Sequence, residues 1–216
     1  MGNELMRCLS VVTNRKVGGR FSLLVSLGIL LALTSVAQAG TVYITFVSGS
    51  GQYQGSQQVG PYNLKVDNQP VKLVCDDIVH TVSPGQSWTA YMSTGLSDLS
   101  HVRFSGGVQA YGAAAWLLDQ GYQHPTEWGD VNFAIWALFN PTQTKNTSGW
   151  SQGAQNLLTT ATSQTYTANQ FAGLEVFTPT DPTSPQEYIV LIPEPSTVLL
   201  LSSGFVGLVL FARRKR

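Results

Sequence analysis

Between residues 41 and 48 the chain sets Val42, Ile44 and Phe46 against Thr41, Tyr43 and Thr45. That two-residue period belongs to a strand with one buried face. Residues 49–60, rich in Gly, Gln and Ser, read as a loop. Further strands are expected at 62–66, 71–75 and 87–92, with Ser83-Pro84-Gly85-Gln86 as a turn. The period then changes. Val108, Tyr111, Ala114, Ala115, Leu117 and Leu118 recur at spacings of three and four, which predicts an alanine-rich helix. A second helix is predicted over 131–139, with Asp130 as N-cap and Pro141 just beyond its end. A third is predicted near 151–163, with Ala154, Leu157, Leu158 and Ala161 as its apolar stripe. Strand patterning returns at 174–177 and 187–192, across a turn-rich 178–185. Strands, then helices, then strands predict an α+β fold: an antiparallel β-rich domain with about three inserted helices.

Two apolar runs flank this region. Arg7, Arg15, Lys16 and Arg20 precede residues 21–33, an apolar stretch that ends before Ala37-Gln38-Ala39. A basic region, an apolar core and a small-residue cleavage site are the parts of a signal peptide, so residues 1–39 are expected to be removed by signal peptidase after Ala39. Met6 is an alternative start to Met1. At the other end, Pro193-Glu194-Pro195 is followed by 15 apolar-rich residues at 198–212 and then Arg213-Arg214-Lys215-Arg216. A helix of that length, at about 1.5 Å per residue, falls slightly short of the ~30 Å hydrocarbon core of a bilayer. The four terminal cations favour a cytoplasmic C-terminus, with everything before Pro193 outside.

This order of parts resembles the PEP-CTERM tail of exported bacterial proteins. The resemblance implies that residues 193–216 are a sorting signal read by an exosortase. That enzyme would cut near Pro193-Glu194-Pro195 and pass the protein to the cell surface or its polysaccharide. The tail would hold the protein in the membrane as a single transmembrane helix until it is sorted.

Setting both ends aside changes the charge. The full chain has 12 basic and 12 acidic residues. Four of the basic ones lie in residues 1–39 and four in 193–216, so residues 40–192 keep only Lys65, Lys72, Arg103 and Lys145 against ten carboxylates. The exported domain is therefore acidic by about six charges, which argues against nucleic acid as a partner. Ser, Thr, Gln, Asn and Gly supply most of its polar surface, as suits an extracellular domain.

Candidate chemistry centres on Cys75. Cys8 falls in the leader, so the domain keeps one thiol and has no intramolecular disulfide. A buried cysteine acting as a small hydrophobe beside Leu73 and Val74 accounts for it without any chemistry. Yet Leu73-Val74-Cys75-Asp76-Asp77, the alanine-rich 114–118 and Asn132-Phe133-Ala134-Ile135-Trp136 together resemble the thioester domains of bacterial surface adhesins. The resemblance implies a thiol condensed with a glutamine side chain, with loss of ammonia, to give an acyl group open to attack by a lysine amine. Here Asn132 holds the glutamine position, and its side chain is one methylene shorter. The pair Cys75 and Asn132 thus defines a possible crosslinker, or a scaffold that has kept the shape and lost the bond.

Other constellations say less. Asp76 and Asp77, adjacent on an extended chain, point to opposite faces and serve a turn more readily than a metal. His80, His101 and His124 lack zinc-site spacing, so neither metal nor cofactor is expected. A Cys75/His hydrolase has no local signature. Of the five tryptophans, Trp116 and Trp136 fall on apolar helix faces, whereas Trp128 and Trp150 lie among polar residues near helix starts. Packing is the expected role for each.

The expected protein is a non-enzymatic surface or biofilm-matrix component that binds or structures extracellular polysaccharide. The competing expectations are a crosslinking adhesin and, behind it, a secreted cysteine hydrolase. Deleting residues 193–216 is predicted to release the domain into the medium; fractionation that still finds it in the envelope would contradict the sorting role.

Overall fold

In the computed structural model, residues 40–183 and 185–192 are described. The expected signal peptide and the tail from Pro193 lie outside them. Eight strands appear: β1 (Gly40–Ser48), β2 (Gln52–Gln54), β3 (Gln57–Val59), β4 (Tyr62–Val66), β5 (Gln69–Cys75), β6 (Ser87–Thr94), β7 (Leu174–Pro179) and β8 (Tyr188–Leu191). The helices are α1 (Gly107–Gln123), α2 (Trp128–Phe139), α3 (Pro141–Lys145) and α4 (Gln152–Thr162), with a 3-10 turn at Pro125–Glu127. The α+β expectation holds.

Six strands close into an antiparallel barrel in the order β1-β4-β5-β8-β7-β6. The helices are inserted between β6 and β7, which are themselves neighbours, so the chain leaves the barrel wall and returns beside the strand it left. Asp67 and Asn68, both at positive φ, form the two-residue turn between β4 and β5. That conformation matches the twist of a hairpin, and Asp and Asn tolerate it.

Alternation along the strands builds two cores. On β5, Leu73 and Cys75 face the barrel interior with Ile44, Phe46, Tyr62, Leu64, Phe177 and Tyr188. Val74, between them, joins the helix layer. On β8, Tyr188 and Val190 face inward while Ile189 packs with Val74, Val176, Leu117, Leu118 and Ile135. Strands buried on both faces read as unbroken apolar runs, which Leu73-Val74-Cys75 and Tyr188-Ile189-Val190 do. A smaller core joins Val59 to Phe133, Trp136 and Ala154.

The sequence expectations need four corrections. The loop at 49–60 contains the β2-β3 hairpin, turned at Gly55 with φ 60°. Its polar strands lack an apolar alternation because they are held by polar contacts, such as Gln54 Nε2 donating to Asp130 Oδ1 and to the Gly149 carbonyl, both at 2.8 Å. Asp130 is no N-cap: α2 starts at Trp128, fed by the preceding 3-10 turn, and the Asp130 carboxylate accepts from Gln54 and Ser151 instead. Pro141 opens α3 as well as following α2. Strands β5, β6 and β7 run past their expected ends, because barrel pairing extends them beyond the clearest alternation. The helix expected near 151–163 is present as α4, and Ser151 caps it, its hydroxyl accepting from Ala154 N at 3.0 Å.

Ile189 is fully buried where barrel and helices meet, so Ile189→Ala is expected to cost about 2–5 kcal/mol of unfolding free energy. Tyr53→Ala, at a side chain 68% exposed, should stay within about 0.5 kcal/mol. Denaturant titration of the two variants checks the contrast.

Candidate functional site

The C-terminal end of β5 brings together most of the residues that carry chemistry. Cys75 is the last residue of the strand and points into the barrel. Its Sγ donates to the Asp77 carbonyl at 3.0 Å and accepts from Asp77 N at 3.3 Å. Burial pushes the thiol pKa well up, and the charges of Asp76 and Asp77 push it further. The Asp77 main chain and the Trp136 indole pull the other way without reversing the sense. The sulfur is therefore a neutral thiol at physiological pH, not the thiolate that acts as a nucleophile.

Asn132, in the first half of α2, reaches the same place. Its Nδ2 donates to the Cys75 carbonyl at 2.9 Å and its Oδ1 accepts from Gly60 N at 3.0 Å. Asn132 thus meets Cys75 at its main-chain carbonyl, whereas the pairing expected from the sequence was with the thiol. The amide clamps main chain: it ties α2 to the end of β5 and to the residue after β3. With every one of these groups buried, both bonds satisfy main-chain atoms that have little water to turn to.

Beyond Cys75 the two aspartates part, as expected of neighbours on an extended chain. Asp77 makes the turn: Oδ1 accepts from Val79 N at 2.9 Å and His80 N at 3.2 Å, while Oδ2 faces His80 Nδ1 at 2.7 Å and the Arg103 guanidinium. Asp76 turns instead toward Glu187, which precedes β8. Glu187 Oε1 accepts from Tyr111 OH at 2.6 Å; Oε2 accepts from Arg103 N at 2.8 Å and from the Thr178 hydroxyl. Of the three buried carboxyl groups, Asp77 alone meets the Arg103 guanidinium, while Glu187 takes the Arg103 main-chain N–H. Asp76, which has no N–H or O–H donor among the described residues, is the one left over. Burial raises its pKa well above the ordinary range, followed by the charge of Glu187, a hydrogen bond to Glu187 and the charge of Asp77. Burial thus favours the form of the Asp76–Glu187 pair that keeps a proton.

Arg103 and Glu187 escaped the sequence reading. Arg103 is the one arginine within residues 40–192, a signal that sparse charge made available. His101 lies away from the cluster, stacked on Tyr91 with ring centroids 4.3 Å apart. Among the described residues no group of three or more His, Cys, Asp or Glu side chains is placed to hold a metal. Trp128 and Trp136 are buried, Trp128 despite its polar neighbours, and Trp88 stacks on Tyr188 at 6.1 Å.

Residues 191–216 match the PEP-CTERM protein-sorting motif. The chain carries an exosortase sorting signal. The motif implies an exported cell-surface protein processed by an exosortase. Among the described residues no helix is long and apolar enough to cross a membrane, and the apolar run of the motif lies outside them. No curated protein matches the chain. Among solved structures, the chain is similar to the N-terminal thioester domain of a surface protein from Clostridium perfringens, at 9% identity and TM-score 0.48, covering 71% of this chain and 99% of that one. It is also similar to the N-terminal domain of the Streptococcus pyogenes pilus tip adhesin Cpa, at 13% identity and TM-score 0.39, covering 74% and 96%.

The raised Asp76 pKa sets a sign for pH dependence. Below the ordinary carboxylate range both folded and unfolded chains hold the proton, and its contribution to stability is complete. As pH rises above that range the unfolded chain releases the proton while the folded chain keeps it, so stability falls until the folded group also titrates. Asp76→Asn preserves a neutral donor to Glu187 and removes this slope. The variant is expected to gain on the native chain by up to about 1.4 kcal/mol per pH unit through the neutral range. Parallel unfolding curves at every pH would refute the shared proton.

Proposed function

We propose that residues 40–192 form a non-enzymatic surface or matrix domain that binds or structures extracellular polysaccharide in a biofilm. In this reading the sorting signal delivers the domain to the polysaccharide layer, and the apolar part of the tail anchors it in the membrane until then. The observation that carries the non-enzymatic part is the state of Cys75. Its thiol is buried and held neutral by burial and two neighbouring acids, with both of its hydrogen bonds to the Asp77 main chain. A nucleophile needs the opposite surroundings: cationic, partly exposed, beside a base. The surplus of carboxylates over cations further supports a neutral, non-nucleic-acid partner.

The crosslinking alternative is favoured by one observation, the 2.9 Å contact between the Asn132 amide and the Cys75 carbonyl, which puts thiol and amide on adjoining groups. In that reaction the thiol sulfur would bond to the Asn132 side-chain carbonyl carbon. The amide nitrogen would depart with the thiol proton as ammonia. Intact mass of the exported protein separates the two readings. The unmodified mass, unchanged by methylamine and with a thiol that a maleimide labels after unfolding, is the expected result. A mass short by one ammonia, restored to an amide adduct by methylamine, would establish the crosslinker instead.

A further inference from the structure

At the end of the barrel where β1 and β5 finish and β4 and β8 begin, a cavity of about 150 Å³ opens to solvent. Phe46 and Tyr62 reach it from the barrel, Gln57 and Gln58 from β3, residues 78 and 80–82 from the loop after β5, Trp136 from α2, and Gln186 from the approach to β8. A cavity of this volume accepts one six-membered ring.

Its lining is chemically narrow. No Asp, Glu, Lys or Arg borders it. The nearest such carboxylate, Asp77, is occupied by His80, Arg103 and two main-chain N–H groups. An ammonium would therefore find no counter-charge, and a phosphate or a uronate carboxylate would find only the His80 ring, whose Nδ1 is already held by Asp77. The apolar part is aromatic: Phe46 and Tyr62, with ring centroids 6.2 Å apart, and Trp136. The polar part is neutral and largely unspent. Gln186 already donates to the Asp77 carbonyl and accepts from Tyr188 OH. The Gln58 amide, the Thr81 hydroxyl and His80 Nε2 make none of the hydrogen bonds found among the described residues, and Gln57 makes one long contact of 3.5 Å to Ser56. Trp136, only 3% exposed, supplies wall rather than donor: its Nε1 is buried away from solvent and turned toward the Cys75 sulfur.

A wholly apolar ligand would bury these donors and acceptors unmet, at about 1–3 kcal/mol each. A charged one would be desolvated without compensation. A ring with C–H faces for the aromatic walls and hydroxyl edges for amide, hydroxyl and imidazole groups meets both demands.

We propose that this cavity is a binding site for a single neutral pyranose ring, a terminal or side-chain sugar of an uncharged polysaccharide. The assignment deepens the polysaccharide-binding reading and rests on it for the polymer that presents the ring. The Gln58 amide and His80 Nε2 meet the sugar's oxygens, Trp136 packs against its C–H face, and Thr81 closes the open side.

Calorimetric titration of the full-length chain in detergent tests it, with glucose, galactose, mannose and a neutral glucan as probes and a polyuronate as the charged counterpart. Tryptophan fluorescence follows the Trp136 wall. The expected result is saturable binding of at least one neutral hexose, with Kd on the order of 1 mM for so small a ligand, and no binding of the polyuronate. Gln58→Ala and Thr81→Ala, both at loop or hairpin positions outside the buried cores, should each weaken that binding about tenfold. Saturable glucan binding that is unchanged in Gln58→Ala and Thr81→Ala would overturn the site while leaving the polysaccharide reading intact, and so would binding of the polyuronate alone. Failure to bind any of these probes would overturn both.

Discussion

The structure depends on burying β5 and β8 on both faces. Leu73 and Cys75 fill the barrel on one side while Val74 and Ile189 meet the helices on the other. A strand with no solvent face cannot slip by one residue without moving an entire apolar set into the wrong core, so the register is held tightly. That register sends Cys75 inward and leaves its carbonyl at the strand's end, where the Asn132 amide receives it. Helix layer, barrel and β2-β3 hairpin are joined at this point, since the same amide also holds Gly60.

The acidic cluster follows from the same placement. The chain turns sharply after Cys75, and Asp77 supports the turn with its own carboxylate. In a domain with so few cations, Asp77 takes the guanidinium of the single arginine within residues 40–192, Glu187 takes that residue's main-chain N–H, and Asp76 meets neither. Burial in a low-dielectric interior, with Glu187 and Asp77 close by, raises the pKa of Asp76 well above the ordinary carboxylate range. The same carboxyl groups that complete the turn also keep the adjoining thiol protonated. Structural and chemical roles are thus tied together: the residues that would flank a reactive cysteine suppress its reactivity.

Just beyond, the surface of the barrel end is of another kind, with aromatic walls and uncharged hydrogen-bonding groups that find few partners within the protein. Charge is gathered beneath it, around Asp77 and Arg103, and is spent there. In the proposed reading, this is the surface that meets neutral, hydroxyl-rich material outside the cell.

Much of this was legible along the chain. Period-two alternation marked β1, period 3.6 marked α1, and Ser151 marked the start of α4, because local backbone energetics and one-sided burial leave a trace within a few residues. The order of Pro193-Glu194-Pro195, an apolar run and four cations marked the sorting signal, since such signals are read as linear segments. Even the partnership of Cys75 with Asn132 was visible as a pattern. The polar hairpin and the true start of α2 were not, because Gln54, Asp130 and Ser151 hold them through contacts between residues far apart in sequence. Closure of the barrel depended on β1 meeting β6. The convergence of Asp76, Glu187 and Arg103 depended on long-range pairing that no local window contains. By itself the sequence determined the kinds of elements, the acidic balance and the sorting address, which are local or additive properties. The tertiary structure alone decided the protonation of Asp76, the fate of the thiol and the chemistry of the cavity, because each arises from groups that only folding brings into contact and removes from water.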